Sequence, residues 1–324
     1  MALFRKGLAA PAVVAGLAVL VLLTGGTGPA TARPNYVFTT IDVPGSESTR
    51  AVALNDAGEI SGWYTDRQGS HGFLLSSGRY TTLDVPGALS TYAEGINALG
   101  QVVGYTNQNN GGHGFLFSGG SYTTFDVPGG AGTSAYGINA LGQIVGSYYS
   151  PIDGDSHGFL LSGGHYQPLD PPGSTNTQAH AINAVGQIVG YYQFQAVLGH
   201  GFLLSNDTFT TLRPPGSIQN FADAINDAGD ITGGYADSAN NEHGFVLSGN
   251  HYSTIDVPGS TATSVVGINN AGQIVGYYYG ANGVQHGFVA VPAASPIPEP
   301  AALLLLSAGT VGLIGWRWRR MQTP

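Results

Sequence analysis

The chain repeats itself. His-Gly-Phe occurs at His71, His113, His157, His200, His243 and His286, and an asparagine closing "IN" or "LN" recurs at Asn55, Asn97, Asn139, Asn183, Asn226 and Asn269. "DVPG" begins at Asp42, Asp84, Asp126 and Asp256, with "DPPG" at Asp170 and "RPPG" at Arg213 completing the set. All three markers share a period of about 43 residues. Self-similarity at that spacing confines the chain to a stack or a ring of like units.

Each unit holds four short segments of strand character, as in "TYAEGIN" (91–97), "GQVVGYT" (100–106), "HGFLFS" (113–118) and the preceding "YTTLDV" (80–85). β-branched and aromatic residues fill them, and turn signals separate them. Asn97-Ala98-Leu99-Gly100 suits a type I turn followed by a left-handed glycine, and Val85-Pro86-Gly87-Ala88 suits a type II turn. The 51 glycines and the lack of a 3.6-residue period exclude a helical repeat. Four strands per unit is the dimension of a propeller blade, with a β-solenoid as the competing architecture.

The ends of the array decide between them. It opens with a lone "YVFTTIDVPG" (36–45) and closes with "HGFVAVP" (286–292), which lacks its successor. If the strand ending in the marker asparagine is the first of a blade, the chain supplies five full blades, three strands of a sixth and one detached fourth strand. A ring uses that strand; an open solenoid has no need of it. The expectation is an all-β, six-bladed β-propeller of four-stranded blades over 36–292, closed by the N-terminal strand joining the last blade. "YTTLDVP" then forms the outer edge, where a terminal proline denies a donor to intruding strands. The innermost strand carries small residues such as Ala93, Gly95, Ala135 and Gly137, as crowding near an axis requires.

The flanks carry targeting information. Arg5 and Lys6 precede a long apolar run, and Ala30 and Ala32 offer a cleavage site, so residues 1–32 read as an export signal with a signal helix, removed by signal peptidase. At the other end a Pro-rich linker (293–300) with Pro298, Glu299 and Pro300 leads into the uncharged stretch 301–316, expected to be a transmembrane helix. Arg317, Arg319 and Arg320 follow in the tail 317–324, which their charge should keep in the cytoplasm. This order resembles the PEP-CTERM sorting signal of exported bacterial proteins. The resemblance implies recognition by an exosortase, a transient membrane anchor through the C-terminal helix, and a final place at the cell surface or in the extracellular matrix. The "GIN-x-x-GQIVG…HGF" units in turn resemble the bacterial extracellular HAF repeat, with glycine for its alanine. That family implies an exported repeat protein without an assigned activity.

Charge and composition exclude several function classes. Between residues 33 and 296 five arginines stand against 18 acids, and there is no lysine. Such a surface cannot neutralise phosphates, so nucleic acid is not an expected partner. The chain has no cysteine, hence neither disulfides nor thiolate chemistry. No nucleophile elbow, phosphate loop or zinc motif is present, and no cofactor or metal is expected. The six His-Gly-Phe histidines occupy equivalent third-strand positions, too far apart to share one ion. They are expected to bond neighbouring backbone groups while the phenylalanines pack between blades.

Function should sit where the units differ. Three residues before each marker asparagine stand Val52, Glu94, Tyr136, His180, Asp223 and Val266, and five before it stand Arg50, Tyr92, Ser134, Gln178, Phe221 and Ser264. Strand alternation puts them on one face of the inner strand, so Glu94, His180 and Asp223, with Tyr136, should approach a central channel from different blades. The longer connections, such as "SYYSPIDGDS" (147–156), concentrate tyrosine on one end of the disc, making Tyr148, Tyr149, Tyr191, Tyr192, Tyr277 and Tyr278 candidate anchors for a sugar ring or a protein surface. The expected function is a non-catalytic binding or structural module for extracellular polysaccharide or a surface protein. The rival is a polysaccharide hydrolase or lyase using Glu94 and Asp223 with His180, although those two carboxylates fall in opposite blades.

Overall fold

The computed structural model describes residues 35–108, 111–194 and 198–293. The expected signal and transmembrane helices, the cleavage-site alanines, the Pro-Glu-Pro motif and the arginine tail lie outside them. Every described element is a strand. A lone β1 (Tyr36–Ile41) precedes the first blade, β2 (Ser48–Leu54), β3 (Ile60–Thr65), β4 (Ser70–Ser76) and β5 (Arg79–Leu83). Blade two is β6 (Ser90–Ile96), β7 (Val102–Gln108), β8 (Gly111–Ser118) and β9 (Ser121–Phe125). Blade three is β10 (Thr133–Ile138), β11 (Ile144–Tyr149), β12 (Ser156–Ser162) and β13 (His165–Leu169). Blade four is β14 (Asn176–Ile182), β15 (Ile188–Gln193), β16 (His200–Ser205) and β17 (Thr208–Leu212). Blade five is β18 (Ser217–Ile225), β19 (Ile231–Asp237), β20 (Glu242–Ser248) and β21 (His251–Ile255). Blade six has β22 (Ala262–Ile268), β23 (Ile274–Tyr279) and β24 (Gln285–Pro292).

Each blade is an antiparallel meander, and a single parallel bridge, Ser156 to Asn176, links blades three and four. β1 completes the sixth blade beside β24, in register from Tyr36 opposite Pro292 to Ile41 opposite Gly287. The expected six-bladed ring and its closing strand are therefore both present.

A ring of hydrogen bonds fastens the blades at the centre. Nδ2 of Asn55 donates to the carbonyl of Asn97, and the pattern continues through Asn139, Asn183, Asn226 and Asn269 back to the carbonyl of Asn55, at 3.0–3.3 Å. Most of these asparagines also organise their own turn. In blade two Oδ1 of Asn97 accepts from the backbone N–H of Leu99 and Gln101, and Nδ2 also donates to the Gln101 side chain. Buried, each must use its full donor and acceptor capacity, and this turn lets it.

The core lies between blades. Phe73, Phe115, Phe159, Phe202, Phe245 and Phe288 are all but wholly buried. Phe115 joins Leu83 and Val85 of the first blade's outer strand and turn to Ala93, Ile96 and Val102 of its own blade. Its ring covers Gly104 in the neighbouring strand, where an added Cβ would collide with the Tyr92 carbonyl and the ring itself. The glycine of His-Gly-Phe has a similar cause: a Cβ on Gly72 would lie 2.8 Å from the Leu83 carbonyl and 3.2 Å from the Ala93 Cβ of the next blade.

The repeated histidines do take a structural partner, but it is a side chain rather than the backbone. Nδ1 of His71, His113, His157, His243 and His286 lies 2.9–3.0 Å from a carboxylate oxygen of Asp84, Asp126, Asp170, Asp256 and Asp42 respectively. The "DVPG" aspartate at the end of the fourth strand thus caps the histidine of the third. His200 is the exception, because Arg213 stands where the aspartate would be. Its Nδ1 and the amide of buried Asn220 make no hydrogen bond of good geometry, and burial together with Arg213 pushes the imidazole pKa down against a weaker upward pull from the Asn220 side chain.

Candidate functional site

The first strand of every blade breaks its alternation at one equivalent place, and that of blade five breaks it a second time, between Ser217 and Gln219. The pairing register with the second strand shifts between Ala51 and Ala53, Ala93 and Gly95, Ala135 and Gly137, Ala179 and Ala181, Ala222 and Ala224, and Val265 and Gly267. The residue in each bulge is the variable one: Val52, Glu94, Tyr136, His180, Asp223 or Val266. A bulge re-aims the side chain it contains. Here all six line one central cavity of about 450 Å³. Of the positions five before the asparagine, Arg50, Gln178, Phe221 and Ser264 also line it, while Tyr92 and Ser134 are not part of the lining.

The cavity wall has levels set by chain position. Leu54, Ile96, Ile138, Ile182, Ile225 and Ile268, each next to a ring asparagine, give it an aliphatic lining at the end where the asparagine ring closes. The bulge residues follow. Beyond them come Arg50, Gln178, Phe221 and Ser264 of the inner strands, with Tyr105 and Tyr277 of the second strands. Trp63, Tyr105, Tyr191 and Tyr277 sit directly opposite Arg50, Tyr92, Gln178 and Ser264 in the ladders. Trp63 and Tyr105 were not among the sequence candidates; the signal that would have found them is the residue after the second-strand glycine, which varies from blade to blade as the inner-strand positions do.

Aromatic rings form an arc across four blades. Trp63 meets Tyr92 edge-on at 5.3 Å, Tyr92 stacks on Tyr105 at 4.8 Å, and Tyr105 meets Tyr136 at 6.2 Å. Tyr136 then meets the His180 ring at 5.4 Å, and on the far side Tyr191 stacks on Phe221 at 4.5 Å. The Arg50 guanidinium lies 3.7 Å from the Tyr277 ring centroid and 5.4 Å from that of Trp63. Cation–π contacts of this kind fix a guanidinium without neutralising it.

The charged groups divide into one closed pair and one open one. Nδ1 of His180 is 2.9 Å from Oδ1 of Asp223, bridging blades four and five, and Nε2 lies 3.4 Å from Gln178 Oε1. The Glu94 carboxylate has no hydrogen-bond or ion-pair partner among the described residues. Enclosure by the wall pushes its pKa up from 4.5 to about 7; Arg50 and His180 pull it down, and Asp223 pushes it further up. Although half-buried by surface area, Glu94 is walled in by protein, and desolvation outweighs its charged neighbours. Burial raises the Tyr105 and Tyr136 hydroxyls too, with the Glu94 charge adding to both. Ser147 donates to the Tyr136 oxygen at 3.3 Å.

The structure separates the other tyrosines expected on the loop face. Tyr148 and Tyr278 lean on His157 and His286 at 5.5 and 5.3 Å, so they belong to the repeated framework. Tyr191 and Tyr192 are 7% exposed, and Tyr192 bonds Thr211 at 2.6 Å. Tyr277 carries Arg50. Only Tyr149 of the set, at 46%, stands clear as an exposed anchor would. These tyrosines lie in second strands rather than in the loops beyond them, so most find partners within the fold. Among the described residues, no group of three His, Asp or Glu side chains is arranged to hold a metal ion.

No curated protein sequence matches the chain. Among solved structures, AofleA from Arthrobotrys oligospora is similar at a TM-score of 0.51 and 11% identity, over 81% of this chain and 91% of that one. The six-bladed fungal lectin of Aleuria aurantia gives 0.49 and 14% over 80% and 100%, and virginiamycin B lyase from Staphylococcus aureus gives 0.46 and 10% over 78% and 88%. At such identities the likeness concerns the fold. Residues 296–320 match the family model described as the PEP-CTERM protein-sorting motif, which implies export, a transient C-terminal membrane anchor and processing by an exosortase. The chain is thus an all-β propeller with a PEP-CTERM sorting signal at its C-terminal end.

Proposed function

We propose that the protein is a non-catalytic binding module of the cell surface or extracellular matrix, and that its central cavity takes a saccharide. The carrying observation is the cavity wall itself. Four aromatic residues line it, Tyr105, Tyr136, Phe221 and Tyr277, beside two charged groups, Arg50 and Glu94, neither of which has an ion-pair partner among the described residues. Sugar rings lie against aromatic faces while their hydroxyls take directed hydrogen bonds, and this wall offers both. The resemblance of the units to HAF-type extracellular repeats supports the same compartment. Glycan-array binding by residues 33–296, repeated with Tyr105→Ala and Glu94→Gln, tests the reading. Retention of a saccharide class by the native chain and its loss in both variants is expected. An array without retained saccharide overturns it.

One observation favours a second reading. A carboxyl with its pKa near 7 suits a general acid, so a hydrolase or lyase acting through Glu94 is the competing class. Asp223, its expected partner, is already engaged by His180 and sits in the opposite blade. Turnover of a polysaccharide that disappears in Glu94→Gln would establish this reading, and unchanged turnover would remove it.

A further inference from the structure

The two ends of the disc differ beyond what the repeat requires. One end carries the tight turns that follow the marker asparagines. The residue at each turn tip is Ala57, Leu99, Leu141, Val185, Ala228 or Ala271. Alanine suffices in three blades, yet Leu99, Leu141 and Val185 are 70%, 75% and 71% exposed. The residue before each tip is alanine in those same blades, at Ala98, Ala140 and Ala184, but Asp56, Asp227 or Asn270 in the others. Two residues after each tip the pattern repeats: Gln101, Gln143 and Gln187 in blades two to four, but Glu59 and Asp230 in blades one and five. The polar half is tied together, since Nδ2 of Asn270 donates to Asp56 and to Asp227 at 2.8 Å each. In the turns that follow the marker asparagines, the acids therefore stand in blades one and five, while those of blades two to four are uncharged and tipped with aliphatic side chains; Asp207, in the outer turn of blade four, is the charge on that side of the face.

The chain itself indicates what covers that half. β24 runs toward this end and finishes at Pro292, which sits against Gly272 of the blade-six turn. The eight residues 293–300 then lead into the apolar run 301–316 within the sorting-signal match. Fully extended, such a linker reaches about 28 Å at most, so the anchored molecule is tethered by this end, at blade six. Blade three, bearing Leu141, is diametrically opposite in the ring.

We infer that the anchored protein lies turn face down on the lipid bilayer, with Leu99, Leu141 and Val185 entering the interface across the ring from the tether. A one-sided tether leaves a disc free to tilt, and an aliphatic contact on the opposite rim gives it a second point of attachment. The acidic half stays beside the tether, where the linker spaces it from the headgroups. Aliphatic side chains entering an interfacial layer are the ordinary means by which a folded surface rests on a membrane. The inference uses the sorting signal and this face, and is independent of what the cavity binds.

The chain lacks cysteine, which makes the test direct. The full chain carrying Leu141→Cys, and separately Leu89→Cys on the opposite face, is labelled with an environment-sensitive dye and reconstituted in phosphatidylcholine–phosphatidylglycerol vesicles. Leu89 is 63% exposed and serves as the reference. A blue-shifted label at position 141, quenched several-fold more than that at 89 by spin-labelled lipid, is the expected result. Equal, water-like emission at both sites overturns the inference. So does a shift at 141 that ignores lipid quencher and grows with protein density, which would mean that a second copy covers the face. Leu141→Cys and Leu89→Cys placed in an L99S/V185S background should lose most of the difference in quenching, with the β-sheet circular dichroism unchanged.

Discussion

Substituting a ring asparagine tests the fold at its centre. Asn139 makes four hydrogen bonds: Nδ2 donates to the Asn183 carbonyl at 3.2 Å and to Gln143 Oε1 at 2.8 Å, and Oδ1 accepts from the N–H groups of Leu141 and Gln143 at 3.1 Å each. It is 4% exposed, so water cannot replace what is removed. At about 1 kcal/mol for each bond, Asn139→Ala should lower stability by roughly 3–4 kcal/mol. Asn139→Asp keeps the two accepting contacts, loses both donors and turns a carboxylate toward a carbonyl. Its cost should be similar at pH 8 and should shrink as the pH falls and the buried carboxyl takes up a proton. Urea unfolding of residues 33–296 can be followed by fluorescence of Trp63, the only tryptophan in that span. The decisive comparison is with Asn269→Ala, whose bond to the Asn55 carbonyl at 3.3 Å spans the seam where the two ends of the chain meet. A closed ring has no weak member, so the seam and mid-ring substitutions should cost the same within about 0.5 kcal/mol. Three of the four Asn269 bonds lie within its own turn, so an open seam would show as a cost lower than that of Asn139→Ala by the one ring bond, about 1 kcal/mol, and that result would refute the closed ring.

Glu94→Gln should raise stability at pH 8 and have little effect at pH 5. With its pKa raised from 4.5 to about 7, native Glu94 binds a proton that the unfolded chain has lost, so its contribution falls as the pH rises through that window. Solvent screening of this half-buried group reduces the effect to about 1–2 kcal/mol, and an equal gain at both pH values in urea titrations would contradict the assignment. Arg213→Asp restores the missing partner of His200. A rise in melting temperature of about 2–4 °C, with the His200 pKa moved upward in proton NMR, is expected. Phe115→Ala empties a fully buried site between two blades and should cost about 3–5 kcal/mol in urea unfolding. Gly104→Ala drives a methyl group into the Tyr92 carbonyl and should reduce the yield of folded protein, as read by β-sheet circular dichroism.

The ring, its phase and its closing strand were legible in the sequence because a period of about 43 residues turns one strand assignment into six. The phase followed from a single physical fact, that a fourth strand without its blade and a blade without its fourth strand complete each other. The channel positions were legible because they vary where everything around them repeats. The bulge was not, since one extra residue changes the register without changing composition, and only the ladder shows which residue is skipped. Nor was the partner of the repeated histidine, although its signal stood in the chain: Asp84, Asp126, Asp170 and Asp256 each follow their histidine by 13 residues. The one histidine answered by an arginine, His200, marks that spacing by breaking it. The tyrosines were misplaced for a local reason, because "SYYS" and "GYYQ" continue the second strand up to the end of the disc rather than starting a loop.

The seam between β1 and β24 governs when the molecule can become itself. Each of the first five blades has all its strands in succession and can zip together as the chain arrives on the far side of the membrane. The sixth cannot, because Tyr36–Ile41 waits for Gly287–Pro292. Until then the growing chain is an open horseshoe with a bare sheet edge near each tip. An interrupted translocation event that stops short of Gln285 leaves it so, ready to be recognised by proteases or joined to another unfinished copy.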